Sequence, residues 1–403
     1  MPTQTQALVV DQVGATPVLT DIELADPQPN GAAALPERRH NLCPNKDTAQ
    51  LIPRVRVITE VLVRITACGV CHTDNLIQHG GIPSAFPSIL GHEGSGTVVA
   101  VGSAVTRVQP GDSVLLSYST CGECPYCQND RPAACQNFFV QNFGRTRNAA
   151  VGSEPVAKAV ATGEAIHGTF FGQSAFGRHA LVVESSVVKV SPGTDLVQLA
   201  PVGCGLQSGA GVLLNKFKPS PESSVAIFGL GAVGFGALWA AVHLKIKTII
   251  VVDLFPSRRD LALSQGATHG LAGNSPSLLA DIRALTGGMG TQYAVEATGV
   301  ERVLRTAWEA IANFGHVCSV GNPGPGVKGP FDINDMVNTS KTWSGLAEGD
   351  SNPPIFVPQL MRLYEQGEFP IQSISKVYPV ERYDEAIADM KAGTVIKPII
   401  TFK

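Results

Sequence analysis

Between Cys68 and Glu93 the chain reads Cys-Gly-Val-Cys-His-Thr-Asp at 68–74 and Leu-Gly-His-Glu-Gly at 90–94. In these two motifs it offers two thiols, two imidazoles, a hydroxyl and two carboxylates. Sulfur and nitrogen donors in that mixture suit a catalytic zinc, which keeps one position open for water or substrate. A lone buried Cys or a satisfied buried His would be the plainer explanation, but Cys204 in Gly-Cys-Gly adds a third candidate donor. A second cluster, Cys121, Cys124, Cys127 and Cys135, has the spacing C-x2-C-x2-C-x7-C. Four thiolates so close in sequence close a tetrahedral site with no open position, which makes the expected zinc structural. A ferredoxin-type iron–sulfur cluster would bring a trailing Cys-Pro, which is absent.

A third constellation begins at Ser224. The buried run Val-Ala-Ile-Phe leads into Gly229-Leu-Gly231-Ala-Val-Gly234, a helix-like stretch to His243, and a second apolar run ending on Asp253. A glycine motif alone is weak. Strand, glycines, helix, strand and terminal acid together form a dinucleotide fingerprint. Gly229 gives the tight turn, Gly231 lets a pyrophosphate approach the backbone, and Gly234 lets helix pack on strand. Asp253 accepts the ribose hydroxyls and repels a 2′-phosphate, so NAD is expected rather than NADP. Arg258 is placed to flank the adenosine, although a plain surface arginine has the same signature.

These residues need elements to hold them. Residues 7–25 and Glu60–Ala67 read as strands, and 94–118 as a Gly- and Val-rich antiparallel region. Residues 138–166 read as an irregular loop, with strand-like sequence resuming at His167. After 200 the pattern becomes alternating strand and helix, and past about 346 the chain returns to its earlier character, ending in a strand at Lys397. A length of 403 residues with 44% hydrophobic content allows two domains with sizeable cores. A net charge of -3 without long charged runs argues against nucleic acid or an anionic membrane surface as partner. No apolar run reaches the ~18 residues of a membrane span. The N-terminal Met-Pro-Thr-Gln-Thr-Gln lacks the charged and apolar regions of a signal peptide, so a cytoplasmic location is expected. Nine cysteines in that setting point to metal or catalysis before disulfides.

Gly-Val-Cys-His-Thr-Asp, Leu-Gly-His-Glu, the four-cysteine lobe, Gly-Cys-Gly at 203–205 and Gly-Leu-Gly-Ala-Val-Gly, in that order, resemble the zinc-dependent alcohol dehydrogenases of the medium-chain dehydrogenase/reductase superfamily. Phe170-Phe-Gly-Gln-Ser-Ala-Phe and Gly203-Cys-Gly-Leu-Gln-Ser-Gly are most similar to the aryl- or benzyl-alcohol branch. The resemblance implies an α/β fold: a Rossmann doubly wound parallel sheet plus a GroES-like β-rich catalytic domain. The expected division is 1–204 catalytic, with the structural zinc lobe at 121–135, then 205–346 NAD-binding, and 347–403 returning to the catalytic domain. It implies two zinc ions per subunit, with Cys71, His92 and Cys204 on the catalytic one. It further implies Glu93 as a carboxylate able to swing onto the metal, Asp74 holding the His92 ring, and Thr73 accepting the substrate proton. His72 and Lys397 would face the pyrophosphate, and Tyr118 would line the substrate channel. The Phe170–Phe171 pair is expected in the core rather than the pocket. The implied partner is a small alcohol or aldehyde, and the implied assembly a homodimer or homotetramer. S-hydroxymethylglutathione or polyol oxidation on the same frame is the alternative activity, and an NAD-binding sensor the non-enzymatic one.

Two departures stand out. Many members of the family carry a proton-relaying His five residues after the first zinc-binding Cys; here that residue is Leu76, and His79 has the wrong spacing to replace it. Residues 30–59, with three prolines and no hydrophobic period, interrupt a junction that is nearly direct in relatives. They read as a functional surface loop, a tolerated disordered insert, or a translated intron or gene-model error, with the last two preferred, and His40 and Cys43 within them lack partners at ligand spacing.

Overall fold

The computed structural model describes residues 2–27, 59–144, 155–329 and 332–402. The reading of 30–59, with His40 and Cys43, therefore falls outside the described residues except at Thr59. Residues 145–154 of the expected loop lie outside them as well. The described remainder of that loop is more regular than expected. It contains a helix at Phe138–Phe143 and short strands at Ala157–Ala159 and Ala165–Ile166 that extend a sheet edge. Phe138 and Phe143 pack against the core, which a polar loop would not require, while Phe139 is exposed.

Six parallel strands form the sheet after residue 220, in the order His269–Ala272, Thr248–Asp253, Ser224–Phe228, Thr291–Glu296, Ile311–Ser319, Thr342–Gly345. The central strands are near-continuous apolar runs because helices cover both faces. The order in which successive strands are added reverses between Ser224–Phe228 and Thr291–Glu296, and ligands bind at such a switch point, outside the carboxyl ends of the strands.

The rest of the chain builds two antiparallel-dominated sheets. In the larger one, Glu60–Gly69 is central, flanked by Gly94–Val101, His179–Val183 and Lys397–Thr401. The pairing Ile399↔Gly69 and Ile400↔Cys68 brings Lys397 alongside the cysteine loop. Cys68 is buried in the core, as packing. The buried helix Gly205–Gly211 lies against Ala232–His243 and joins the two halves. Among the described residues no single helix is long and apolar enough to cross a membrane.

Candidate active site

The metal pocket starts with a helix. Cys71 caps the helix His72–Gln78, and Asp74, in its first turn, accepts a hydrogen bond from the Cys71 backbone N–H at 3.1 Å. The same buried carboxylate accepts from Gly91 N at 2.9 Å and from His92 Nδ1 at 3.1 Å. Asp74 thereby fixes both the turn that presents Cys71 and the tautomer of His92, leaving Nε2 to face the pocket. Among the described residues that buried Nε2 has no hydrogen-bond partner. Burial pulls the imidazole pKa down, but the Asp74 carboxylate and Cys71 outweigh it and hold it well above the usual value. Phe171 stacks on the ring at 4.6 Å between centroids and Phe170 meets it edge-on at 4.9 Å.

Donor atoms of Cys71, His92, Glu93 and Cys204 lie within 4.8 Å of one another. A buried imidazole nitrogen lacking a partner, next to two thiols, fits a zinc ion. Cys71 is the more acidic thiol of the pair: the hydrogen bond from Cys204 outweighs burial, and His92 adds to it. Thr73 Oγ1 stands 3.8 Å from Cys71 Sγ on the pocket wall. Glu93 is fully buried, and both its oxygens accept from Lys397 Nζ at 2.9 Å. Burial pushes its pKa up to about 7 against the pull of Lys397.

In the second cluster Cys121 and Cys135 approach to 3.4 Å, Cys124 and Cys127 to 3.6 Å, and Cys121 and Cys127 to 3.9 Å between sulfurs. Zinc–sulfur bonds of about 2.3 Å in a tetrahedron give edges of about 3.8 Å. These residues therefore fit a closed four-thiolate site. A hydrogen bond from Cys135 draws the Cys121 thiol down to about 4, so one thiolate is already favoured.

A cleft of about 1320 Å³ runs from the metal pocket to the carboxyl ends of the parallel strands. Gly229 has φ +93°, and a Cβ on Gly234 would lie 1.9 Å from the Gly229 carbonyl oxygen. A Cβ on Gly231 would meet nothing within 4 Å and would project into the space a pyrophosphate needs. Asp253 Oδ2 accepts from Leu230 N at 2.7 Å and Oδ1 from Phe255 N at 2.9 Å, which fixes the carboxylate at the cleft wall. Arg258 lies on the same wall, its guanidinium 4.6 Å from the Phe255 ring centroid. The residues fit a dinucleotide with its adenosine at Asp253 and its far end at the metal pocket. His72 lines that cleft too.

Two expectations change. Lys397 does not reach out to a pyrophosphate: its ammonium is held by Glu93 and by the Val70 carbonyl at 2.9 Å, because strand pairing carries it behind the cysteine loop. Tyr118 is fully buried and donates to the Ser351 carbonyl, so it braces the wall instead of lining the channel. Phe171 is buried in the core with Phe170, as expected, and also lines the cleft together with Phe138, Phe139 and Phe143. A left-handed backbone at Phe171, φ +53°, turns its ring onto His92. Sequence reading missed Glu348, which lies on the cleft wall with Oε1 3.8 Å from Cys204 Sγ. Its signal was available: it follows the last parallel strand at its carboxyl end, where α/β proteins place functional groups.

The fold and the pocket together define a metal-dependent dehydrogenase. The alcohol dehydrogenase GroES-like domain family matches residues 58–192 and the zinc-binding dehydrogenase family residues 232–366. Geraniol dehydrogenase of Castellaniella defragrans is 38% identical over 344 residues, 85% of this chain and 91% of that protein. An alcohol dehydrogenase zinc-binding domain protein from Burkholderia ambifaria superposes with a TM-score of 0.88 at 36% identity. Benzyl alcohol dehydrogenase from Acinetobacter calcoaceticus gives 0.85 at 35%, and each comparison covers 100% of both chains. The chain belongs to the zinc-dependent alcohol dehydrogenases of the medium-chain dehydrogenase/reductase superfamily. It is an NAD-dependent oxidoreductase acting on CH–OH groups of small molecules.

Proposed function

We propose that the chain oxidises aryl or allylic primary alcohols to aldehydes, reversibly, with NAD. The observation that carries this reading is the phenyl-lined cleft wall formed by Phe138, Phe139, Phe143 and Phe171, the last of which stacks on His92. Flat unsaturated substrates pack on such rings, and the nearby polar groups fix the hydroxyl end. The named substrates of two relatives, geraniol and benzyl alcohol, are of this kind.

Cys71, His92 and Cys204 hold the catalytic zinc, and Cys121, Cys124, Cys127 and Cys135 the structural one. Bound zinc supplies Lewis acidity toward the substrate oxygen, and NAD supplies the hydride acceptor. Thr73 Oγ1 accepts the hydroxyl proton as its own proton passes to water in the cleft, Asp74 keeps His92 in its ligating tautomer, and Lys397 neutralises Glu93. Gly229, Gly231 and Gly234 seat the pyrophosphate with His72 at its side. Asp253 selects NAD, and Arg258 flanks the adenosine. Leu76 leaves no imidazole to pass the proton on, and His79 donates to the Asn75 carbonyl at 2.8 Å from an exposed position. Residues 1–204 and 347–403 form the catalytic unit and 205–346 the NAD-binding unit of a cytoplasmic homodimer or homotetramer. An absorbance screen at the NADH band, in both directions, over benzylic, allylic, short aliphatic and polyol substrates tests the assignment. Cinnamyl- or benzyl-type alcohols should exceed ethanol in kcat/KM by about 100-fold or more, the scale of a few buried methylenes. Equal or better turnover of ethanol or a polyol would overturn it.

A further inference from the structure

We propose that Glu348 is a further side chain of the catalytic metal pocket, an exchangeable carboxylate that takes the open coordination position when no substrate oxygen is there. The proposal rests on the zinc reading above.

Two carboxylates stand near the ligand cluster, and they are held differently. Glu93 is locked: both oxygens are on Lys397 Nζ, and Gly69 packs so closely that a Cβ there would lie 2.1 Å from Glu93 Oε2. Among the described residues Glu348 is in no salt bridge with a Lys or Arg. One oxygen accepts from the Gln207 amide at 3.1 Å, and the other faces Cys204 Sγ at 3.8 Å from the cleft wall. A hard oxygen donor on a neutral hydrogen bond is free to exchange, whereas one in a buried ion pair is not.

The backbone is built to put Glu348 there. Glu348, Gly349 and Asp350 all have left-handed φ values of +47°, +75° and +46°. Such a conformation is unfavourable for a glutamate and persists only where its surroundings enforce it, which is characteristic of functional sites. Here the enforcement is visible. Gly349 lies so near the helix Gly205–Gly211 that a Cβ on Gly211 would come within 2.1 Å of the Gly349 carbonyl oxygen, and Asn215 Nδ2 donates to that oxygen at 2.8 Å. Gln207, which holds the Glu348 carboxylate, also donates to the Gly203 carbonyl at 2.6 Å and to Ser117 Oγ at 2.8 Å. The glutamate, its amide clamp and the Cys204 turn therefore form one unit.

The test uses protein with its catalytic zinc exchanged for cobalt, whose visible spectrum reports ligand number and type. In Glu348→Gln the substrate-free cobalt spectrum should change. Imidazole, which competes for the open position, should bind about tenfold more tightly, and zinc loss to a chelator should accelerate about tenfold. Glu93→Gln should leave the cobalt spectrum as in the parent. Glu348→Asp keeps the charge but retracts it by one methylene; it should give an intermediate spectrum and serves if the Gln variant does not fold. Parent-like spectra and imidazole affinity in Glu348→Gln, or in Glu348→Asp should that be the variant that folds, would overturn the proposal, as would a spectral change confined to Glu93→Gln. Total zinc in the parent separates the two claims, because one ion per chain instead of two defeats the underlying metal reading itself.

Discussion

The two cysteine clusters use the same sulfur chemistry for opposite ends. In the lobe at 121–135 four thiols face one another at spacings a tetrahedral ion fills, and no cleft residue belongs to it. In the pocket, two thiols share the site with an imidazole and carboxylates, and one side opens onto the cofactor cleft. The lobe is local, its ligands held in one short loop. The pocket is assembled from 71, 92, 204, 348 and 397, on five different segments. Closure makes a staple, whereas openness and distributed support make a reactive centre.

The largest break in that contrast should come from His92→Ala. It should lower kcat by at least about 10³-fold and remove one zinc per chain by metal analysis, with the melting temperature little changed. Cys135→Ser should do the reverse: one zinc lost and a fall in Tm of about 10 °C or more, with measurable turnover in the fraction that stays folded. If both variants lose activity and stability alike, the division of roles is wrong. Asp74→Ala should weaken zinc at the pocket alone by about 10–100-fold, read by chelator competition. In Asp253→Asn the preference for NAD over NADP should fall by about tenfold, equivalent to ~1.4 kcal/mol, in the ratio of kcat/KM values. His79→Ala should stay within about twofold of the parent at every pH, since Coulomb effects from an exposed side chain are screened; a large loss with zinc intact would restore a relay role to it.

What the sequence disclosed follows the same line between local and assembled. The four-cysteine lobe, the Cys71–Asp74 turn and the glycines of 229–234 were legible because their geometry is set by neighbours in the chain. The alternating strands and helices after 200 were legible because hydrophobic period is a local property. Glu348 was legible only through its place after the last parallel strand, since its partner Cys204 is 144 positions away and no spacing announces it. Lys397 was assigned to the wrong side of the cysteine loop because strand register decides where its ammonium goes. Tyr118 was placed in the channel for want of its hydrogen bond to Ser351. The Phe138–Phe143 helix hid in a stretch too short and too mixed for periodicity to resolve.

The pairing of Lys397 with Glu93 has a consequence for how the protein is made. Their separation along the chain is 304 residues, and the strand that carries Lys397 completes the sheet holding Cys68 and Gly69. A growing polypeptide exposes residues 71–93 long before it can neutralise Glu93 or close that sheet. Until Lys397 leaves the ribosome, the reactive thiols wait on an unfinished scaffold, open to chaperones and to stray metal ions. Slowing translation just ahead of Lys397 should therefore lengthen the period in which nascent chains bind holdases and incorporate the wrong ion.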